Sequence, residues 1–551
     1  MKKTIIILAA AGLALSSCSE SFLDVSSKTE STTGNFYQTE SDAYRALLGC
    51  YDGWRQVSSK MCVGFYIAST IMGDECYAGV GTGDARNYQA IDRFDISEAP
   101  SYSGTLYGSN DGSSDWGNYY AAVYRCNELI THDEQIAWTS EATRQLYLGE
   151  ARGLRALCYF DMVRLWGNIP LFLEPVDENR PQADPSEVYE AIFDDLKFAI
   201  ENIPADAYPK SQASSNDGHV TKFAAEAILA RAYLFYSGYY GQEPTNCTKA
   251  EALAACEDVI ANSGCELVED FKTLWAAASL VPIEGEKGWD SSSTYAGEAN
   301  SEVILQMKFT GSQDYNGNND SNRWQVMMGI RNINFSPYGK GWGACTVCPT
   351  FLEKFQSGDK RLEASVIDLE GEGVTKLETF QNSHYKDQRE YTGYTVKKYS
   401  PLAFSDGTSA SLADGSGDFQ ITNPQNWVIV RLADVYLMAA ELGSSRASEY
   451  LNAVHHRAGL TDNLAVTKEN IMNERALELA FEGHRYWDLL RQGIDVAAET
   501  IAASSGMTYS GGAEDYVTIS ADRIRATKGL SQIPGGQITL SNGTLVQNAG
   551  W

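Results

Sequence analysis

The chain has 551 residues, of which 43% are hydrophobic and 21% charged, an ordinary balance for a globular protein. A formal net charge of −29 excludes the basic footprint of a nucleic-acid-binding protein and disfavours strong binding to an anionic membrane surface. The same charge disfavours heavily sulfated or uronate-rich ligands unless a local basic loop reverses it.

The N-terminus reads as a processing segment. Lys2 and Lys3 precede an apolar run from Ile5 to Leu15, too short to span a bilayer as a stable anchor. It ends in Leu15-Ser16-Ser17-Cys18, which resembles a bacterial lipobox. Residues 1–17 are therefore expected to be a lipoprotein signal peptide, with Cys18 diacylated as the first mature residue. No later stretch approaches the length of an apolar membrane helix, so the expected membrane attachment is a lipid anchor only. The remaining cysteines, from Cys50 to Cys348, are scattered, and several fall at apolar positions of helical runs. They are expected to be buried free thiols. Cys345-x-x-Cys348 is half a zinc pattern without a second half, and a local disulfide there stays open.

In chain order, helical periodicity appears at 39–56, 116–133, 140–167, 184–204, 221–238 and 248–264. Asp184-Pro185 supplies an N-cap followed by a first-turn proline, and Thr221 and Thr248 open their helices. Gly238 and Gly264 are expected to close them. Beyond residue 280, Gly, Ser, Asn and Asp rise, and short strand-like runs such as "EVILQMKF" (302–309) lie between long polar loops. Helices are expected again at 426–443, 446–459 and 467–493. Adjacent amphipathic helices with Ala and Gly at their contacts suggest stacked hairpins of the tetratricopeptide type, though no constant period repeats. Loops this long favour a functional surface.

The run "ERALELAFEGHRYWDLLRQG" (474–493) places Glu474, Glu478 and Glu482 four apart, on one face if the run is a single helix. Like charges at that spacing repel, so partners are required. Arg475, Arg485, Arg457 and Arg431 are the candidates, and at least two of the glutamates are expected to contact an arginine. Thr467 is expected to cap the helix and Gly493 to end it.

The stretches "FLDVSSKTESTTGNFYQTESDAYRALLGCYDGW", "YYAAVYRCNELI", "EARGLRALCYFDMVRLWGNIPLFLEP", "VRLADVYLMAAEL", "YLNAVHHRAGL" and "NERALELAFEGHRYWDLLRQG" follow one another behind the lipobox. The chain ends in an Ile-Pro…Gln-Asn-x-Gly element, with Ala549 and Trp551 where Pro and Tyr are usual. In this order they resemble the SusD/RagB family of outer-membrane lipoproteins of Bacteroidota. The resemblance implies a mainly α fold: about four tetratricopeptide-like helix pairs packed against an irregular, loop-rich region with a few short strands. It implies one domain over 18–551, with a helical scaffold at about 39–275 and 427–495 and a loop-rich ligand-binding region at about 280–426. It further implies binding of an oligosaccharide at the cell surface, a SusC-like TonB-dependent transporter as partner, no catalytic machinery and no cofactor. Some members of the family bind peptides instead.

Sugar rings present apolar faces and many hydroxyls, so their sites combine flat aromatics with hydrogen-bonding side chains. Aromatics in polar loops are the candidates: Tyr102, Tyr107, Trp289, Tyr295, Tyr315, Trp324 and Trp342, with Arg86 and Asn110 as hydrogen-bonders. Tyr338, beside Trp342, shares the pattern, whereas Trp116 and Tyr119 begin a helical face and read as core. Asp314, Asn316, Asn318 and Asp320 alternate like the start of a calcium loop, but Asn319 and Gln325 stand where Gly and Glu are needed, so calcium is not supported. The enzymatic alternative is a glycoside hydrolase using two carboxylates of the 474–493 run, which would have to flank a cleft with differently tuned pKa values.

Overall fold

The computed structural model describes residues 36–59, 64–84, 86–95, 97, 115–208, 218–312, 320–374 and 386–551. The lipobox and Cys18 lie outside them, as do Cys62, Tyr102, Tyr107, Asn110, Asp314, Tyr315, Asn316, Asn318 and Asn319.

The first half is helical: α1 (Glu40–Ser59), α2 (Gly64–Ile71), α3 (Asn87–Asp92), α4 (Asp115–Thr131), α5 (Glu141–Trp166), α6 (Pro185–Asn202), α7 (Lys222–Tyr240) and α8 (Lys249–Asn262), with a short strand β1 (Cys76–Gly79) before α3. Local chemistry sets their starts. Ser140 accepts from Thr143 N, Asp184 and Thr248 each form a capping box with the glutamate three residues on, and Pro185 occupies the first turn of α6. The larger helices stack in chain order, α4 on α5, α5 on α6, α6 on α7 and α7 on α8, while α1 packs on α4 and α5. Small residues bring them close. A Cβ on Gly53 would lie 3.0 Å from Ala122 Cα of α4, and one on Gly149 would lie 2.8 Å from Ile203 Cγ1. Gly238 does not end its helix, which runs on to a left-handed Gly241. Its missing side chain serves contact, since a Cβ there would sit 2.4 Å from Arg491 O.

The second half adds β2 (Val303–Met307), α9 (Arg323–Met328), β3 (Ile330–Arg331), β4 (Lys340–Gly341), β5 (Ala344–Val347), β6 (Val366–Asp368), β7 (Tyr394–Val396), β8 (Trp427–Arg431), α10 (Leu432–Leu442), α11 (Ala447–Arg457), α12 (Lys468–Glu478), α13 (Arg485–Leu490) and α14 (Ile494–Ala502), then a hairpin of β9 (Gly506–Ser510) and β10 (Ala513–Val517). An antiparallel sheet in the order β1-β5-β7-β6 joins the two halves, so the early strand β1 is paired with a strand of the irregular region. One hydrophobic cluster extends from Tyr37 to Leu545 and takes in both. The fold is mainly α, with helix pairs packed against an irregular region of few short strands.

Two expected helices are corrected. The 426–443 run is a strand followed by a helix: Val428, Ile429 and Val430 are β-branched and pair with the 303–307 strand, Leu305 opposite Val430. The 467–493 run is two helices. Thr467 caps α12 by accepting from Asn470 N, but the chain leaves the helix after Glu478. Phe481 and Gly483 take φ of 64° and 78°. Phe481 N donates to Glu75 Oε1 at 2.7 Å, and a Cβ on Gly483 would meet Tyr66 Cδ1 at 2.7 Å, so this turn is docked onto α2 and the residues after it. Glu482 therefore does not share the helical face of Glu474 and Glu478.

The C-terminal motif folds back onto the scaffold. Asn548 Nδ2 donates to Trp166 O at 2.9 Å and Ser531 O at 2.7 Å, Gln547 brackets the backbone of Ile533, and Trp551 Nε1 reaches Leu530 O at 2.9 Å. The cysteines among the described residues are all buried free thiols, so Cys345 and Cys348 form no disulfide.

Candidate ligand-binding face

The carboxylates that looked most like chemistry are structural. Glu474, Glu478 and Glu482 are at most 3% exposed, and each meets an arginine. Arg431 Nη1 bonds Glu478 at 2.6 Å and Glu302 at 2.8 Å, and its Nε and Nη2 form a fork on Glu482, both at 2.8 Å. Arg457 joins Glu302 to Glu478, and Arg361 reaches Glu474 at 2.5 Å and Asp359 at 2.7 Å. Burial alone would push Glu478 up, but Arg457, Arg431 and Arg361 outweigh it and hold the carboxyl at about 2. Lys398, also buried, bonds Glu482 at 2.8 Å, and burial lowers its ammonium to about 8. Arg475 and Arg485 serve other acids: Arg475 bridges Asp434 and Asp488, and Arg485 pairs with Asp74 at 2.8 Å. Arg361 was missed because it lies 113 positions before Glu474. All three glutamates are buried and paired, so a hydrolase built on them has no cleft to flank.

The predicted aromatics divide. Trp324 is corrected: it is 1% exposed and packs edge-on against Tyr66 and Trp427, with ring centroids 4.9 and 5.3 Å away. It sits in the first turn of α9, which the Asn322 side chain caps by accepting from Trp324 N and Gln325 N, and that short helix turns it inward. Trp116 and Tyr119 are core, as expected, against Trp166. Tyr338 is buried, its hydroxyl donating to Glu372. Trp289 is half-buried beside Phe404, with ring centroids 5.5 Å apart, and Tyr295 is half-buried with a phenol that desolvation raises.

Trp342 occupies a different setting. It is half-buried, and the Arg323 guanidinium lies over its ring at 5.0 Å. Its carbonyl accepts from Arg331 Nη1 at 3.2 Å. Arg331 then pairs with Asp387 at 2.6 Å and Asp84 at 3.3 Å. Asp387 also accepts from Asn332 Nδ2 at 2.8 Å and Thr82 Oγ1 at 3.2 Å. Burial pushes the Asp387 carboxyl up, but its bonds to Arg331 and Asn332 win and hold it below the usual range. Arg389 Nη2 donates to Thr82 O at 2.6 Å, and burial followed by the nearby Arg86 cation lowers its guanidinium. Side chains from three separate segments, Asp84 and Arg86, then Arg323, Arg331 and Trp342, then Asp387 and Arg389, thus form one exposed-to-half-buried strip of cations, carboxylates and an aromatic ring. Backbone bonds fix it: Val80 N to Gly343 O at 2.9 Å, Thr82 N to Asp387 O at 2.9 Å and Arg389 N to Val80 O at 2.9 Å. Of the predicted site, the structure brings Trp342 and Arg86 onto this strip. Arg323, Arg331, Asp387 and Arg389 were missed. Their one sequence signal was polar and charged residues in the same segments as loop aromatics, "RNINFSPYGKGWG" and "KDQREY". Asp320, from the calcium-like run, pairs with Arg55 at 2.7 Å, and among the described residues no His, Cys, Asp and Glu group is arranged to hold a metal ion.

A profile described as "SusD family" matches residues 301–551, and one described as "Starch-binding associating with outer membrane" matches residues 99–234. The chain is 24% identical over 517 residues to a SusD-like protein of Bacteroides ovatus, covering 89% of this chain and 82% of that one. A solved laminarin binding SusD-like protein superposes with TM-score 0.70 at 26% identity, covering 94% of this chain and all of the other. Surface glycan-binding protein A from Bacteroides thetaiotaomicron, in complex with laminarihexaose, has the same fold with TM-score 0.72 at 23% identity over 93% of this chain and 100% of that one. The second profile description associates its family with the outer membrane. This chain belongs to the SusD family.

Proposed function

We propose that this protein binds an oligosaccharide at the cell surface and delivers it to a SusC-like TonB-dependent transporter of the outer membrane. A lipid on Cys18 would hold it there, with residues 1–17 removed as signal peptide. The observation that carries the reading is the strip around Trp342, where a ring face lies among guanidinium, carboxylate and amide groups on a rigid scaffold. Apolar sugar faces stack on such rings while hydroxyls satisfy the polar groups. Similarity to a laminarin binding SusD-like protein supports it. Its role is binding without turnover and needs no cofactor; Tyr102, Tyr107, Asn110, Tyr315, Trp289 and Tyr295 are proposed as further contact residues.

Incubating the purified mature chain with a panel of neutral and acidic oligosaccharides tests this. Retention of at least one of them, unchanged in length after prolonged incubation, is the expected result. Shortened products would establish an enzyme instead. Co-purification of the transporter with the lipidated chain, and its loss in Cys18→Ala, tests the partner and the anchor together.

A further inference from the structure

We infer that a cavity between α4, the 168–183 loop and the C-terminal residues 535–546 docks a segment of a partner protein that presents one large apolar side chain flanked by lysine or arginine. The cavity encloses about 270 Å³ and shares no residue with the strip around Trp342. Tyr120 and Tyr124 of α4, Phe172 and Val176 of the loop, and Leu540 and Leu545 give it an apolar lining. Hydrogen bonds hold the loop in place: Tyr120 Oη donates to Pro170 O at 2.8 Å, Asn127 Nδ2 to Phe172 O at 3.0 Å and Arg155 Nη1 to Leu173 O at 3.2 Å. Gln182 Oε1 accepts from Val546 N at 2.8 Å and ties the C-terminal residues to the same loop. The cavity is therefore formed before anything enters it, which lowers the ordering cost of binding.

Exposed apolar surface surrounds the mouth. Tyr124 is 49% and Leu540 70% exposed, and the exposed Leu173 and Val546 each adjoin a lining residue in the chain. Apolar surface gathered around a cavity is what a partner's anchoring side chain buries. The rim is acidic. Glu174 and Glu178 line it and are exposed, and Asp177 stands exposed between Val176 and Glu178. Arg180 is the one cation in the lining; it lies 3.5 Å from Glu174 and pairs with Glu178, and residues 535–546 carry no charge. Three carboxylates against one guanidinium leave the rim negative, so it attracts a cationic segment. A second copy of this chain, with its net charge of −29 and its own acidic rim, would be repelled. A sugar would find a mostly apolar lining with few groups for its hydroxyls.

Fluorescence anisotropy of the purified mature chain with labelled synthetic peptides tests this. The probes are Gly-Lys-Lys-Phe-Leu-Lys-Lys-Gly, the same peptide with every lysine replaced by glutamate, and the same peptide with Phe-Leu replaced by Ser-Ser. The first is expected to bind about tenfold or more tighter than either control. Leu540→Lys removes an exposed apolar contact and puts a cation at the mouth; it is expected to weaken that binding about tenfold with the circular dichroism spectrum intact. Asp177→Lys should weaken it about threefold and strengthen binding of the glutamate peptide. Three peptides bound alike, or binding of the first that neither substitution moves, would overturn the proposal. Laminarihexaose or maltohexaose binding that is lost in Leu540→Lys would make the cavity a sugar subsite instead. A dimer in sedimentation that the same substitution abolishes would give it to a second copy of the chain.

Discussion

The buried network around Arg431 and the strip around Arg331 are built from the same pairs, arginine with carboxylate, in opposite settings. Arg431 is 2% exposed and its acids at most 1%, whereas Asp387 is 35% and Asp84 41% exposed. In the first, every charge has lost its water and must be repaid by a partner. Removing one partner strands the others, so the network ties α11, α12, β8 and the Glu302 segment into one arrangement. In the second, water still screens the charges and no single pair matters much to stability.

The largest expected effect breaks the buried side. Glu478→Ala leaves Arg431, Arg457 and Arg361 short of a shared carboxylate and is expected to cost about 3–5 kcal/mol in urea unfolding. Trp324→Ala should cost a similar amount, about 3–5 kcal/mol, because it empties a packed site between Tyr66 and Trp427. A cost below about 1 kcal/mol for either would mean that the core is less closely packed than described.

Acid and base sharpen the comparison within the core. Glu478 is held at about 2, below its usual 4.5, so its stabilisation is complete above pH 4.5 and is lost as pH falls toward 2. Glu75 is the reverse. Burial pushes it up to about 8, with one carboxylate oxygen accepting from Phe481 N and the other lacking a hydrogen-bond partner among the described residues. Its folded pKa lies above the unfolded value, so stability falls as pH rises from about 4.5 to 8 and stays reduced above that. Glu75→Gln keeps an acceptor for Phe481 N and removes that loss. It should raise the unfolding free energy at high pH by about 1–3 kcal/mol and change little at pH 4. Equal effects at both pH values would show that Glu75 does not titrate there.

The smallest stability effects belong to the strip. Asp387→Asn should change unfolding by no more than about 1 kcal/mol, and Trp342→Ala by less than Trp324→Ala. Trp342→Ala is nonetheless expected to weaken oligosaccharide binding about tenfold or more, as stacked aromatic contacts carry much of the affinity. Unchanged binding would move the ligand toward Trp289 and the loop aromatics.

The helices were legible where capping and periodicity agreed. Asp184, Thr221, Thr248 and Thr467 each cap where expected. Boundaries failed where a distant contact intervened: Gly238 faces Arg491 instead of ending α7, and the 303–307 strand turned the β-branched front of the 426–443 run into its partner. Of the candidate face, Trp342 and Arg86 could be singled out in sequence because both fall in polar loops. Trp324 looked identical in sequence, and only the Asn322 cap turned it inward.

Amino-acid order alone determined the helical scaffold, the need of Glu474, Glu478 and Glu482 for cationic partners, and the set of aromatics from which a binding face is drawn. These follow from propensity, capping and charge, which act over a few residues. Tertiary structure decided which partners meet and which rings stay exposed. Arg361 reaches Glu474 across 113 positions and Arg331 reaches Asp387 across 56, in pairs that depend on how distant segments pack. Burial then separates the two sets of ion pairs, because losing water makes a charge demand its partner, and keeping water leaves it available to a ligand.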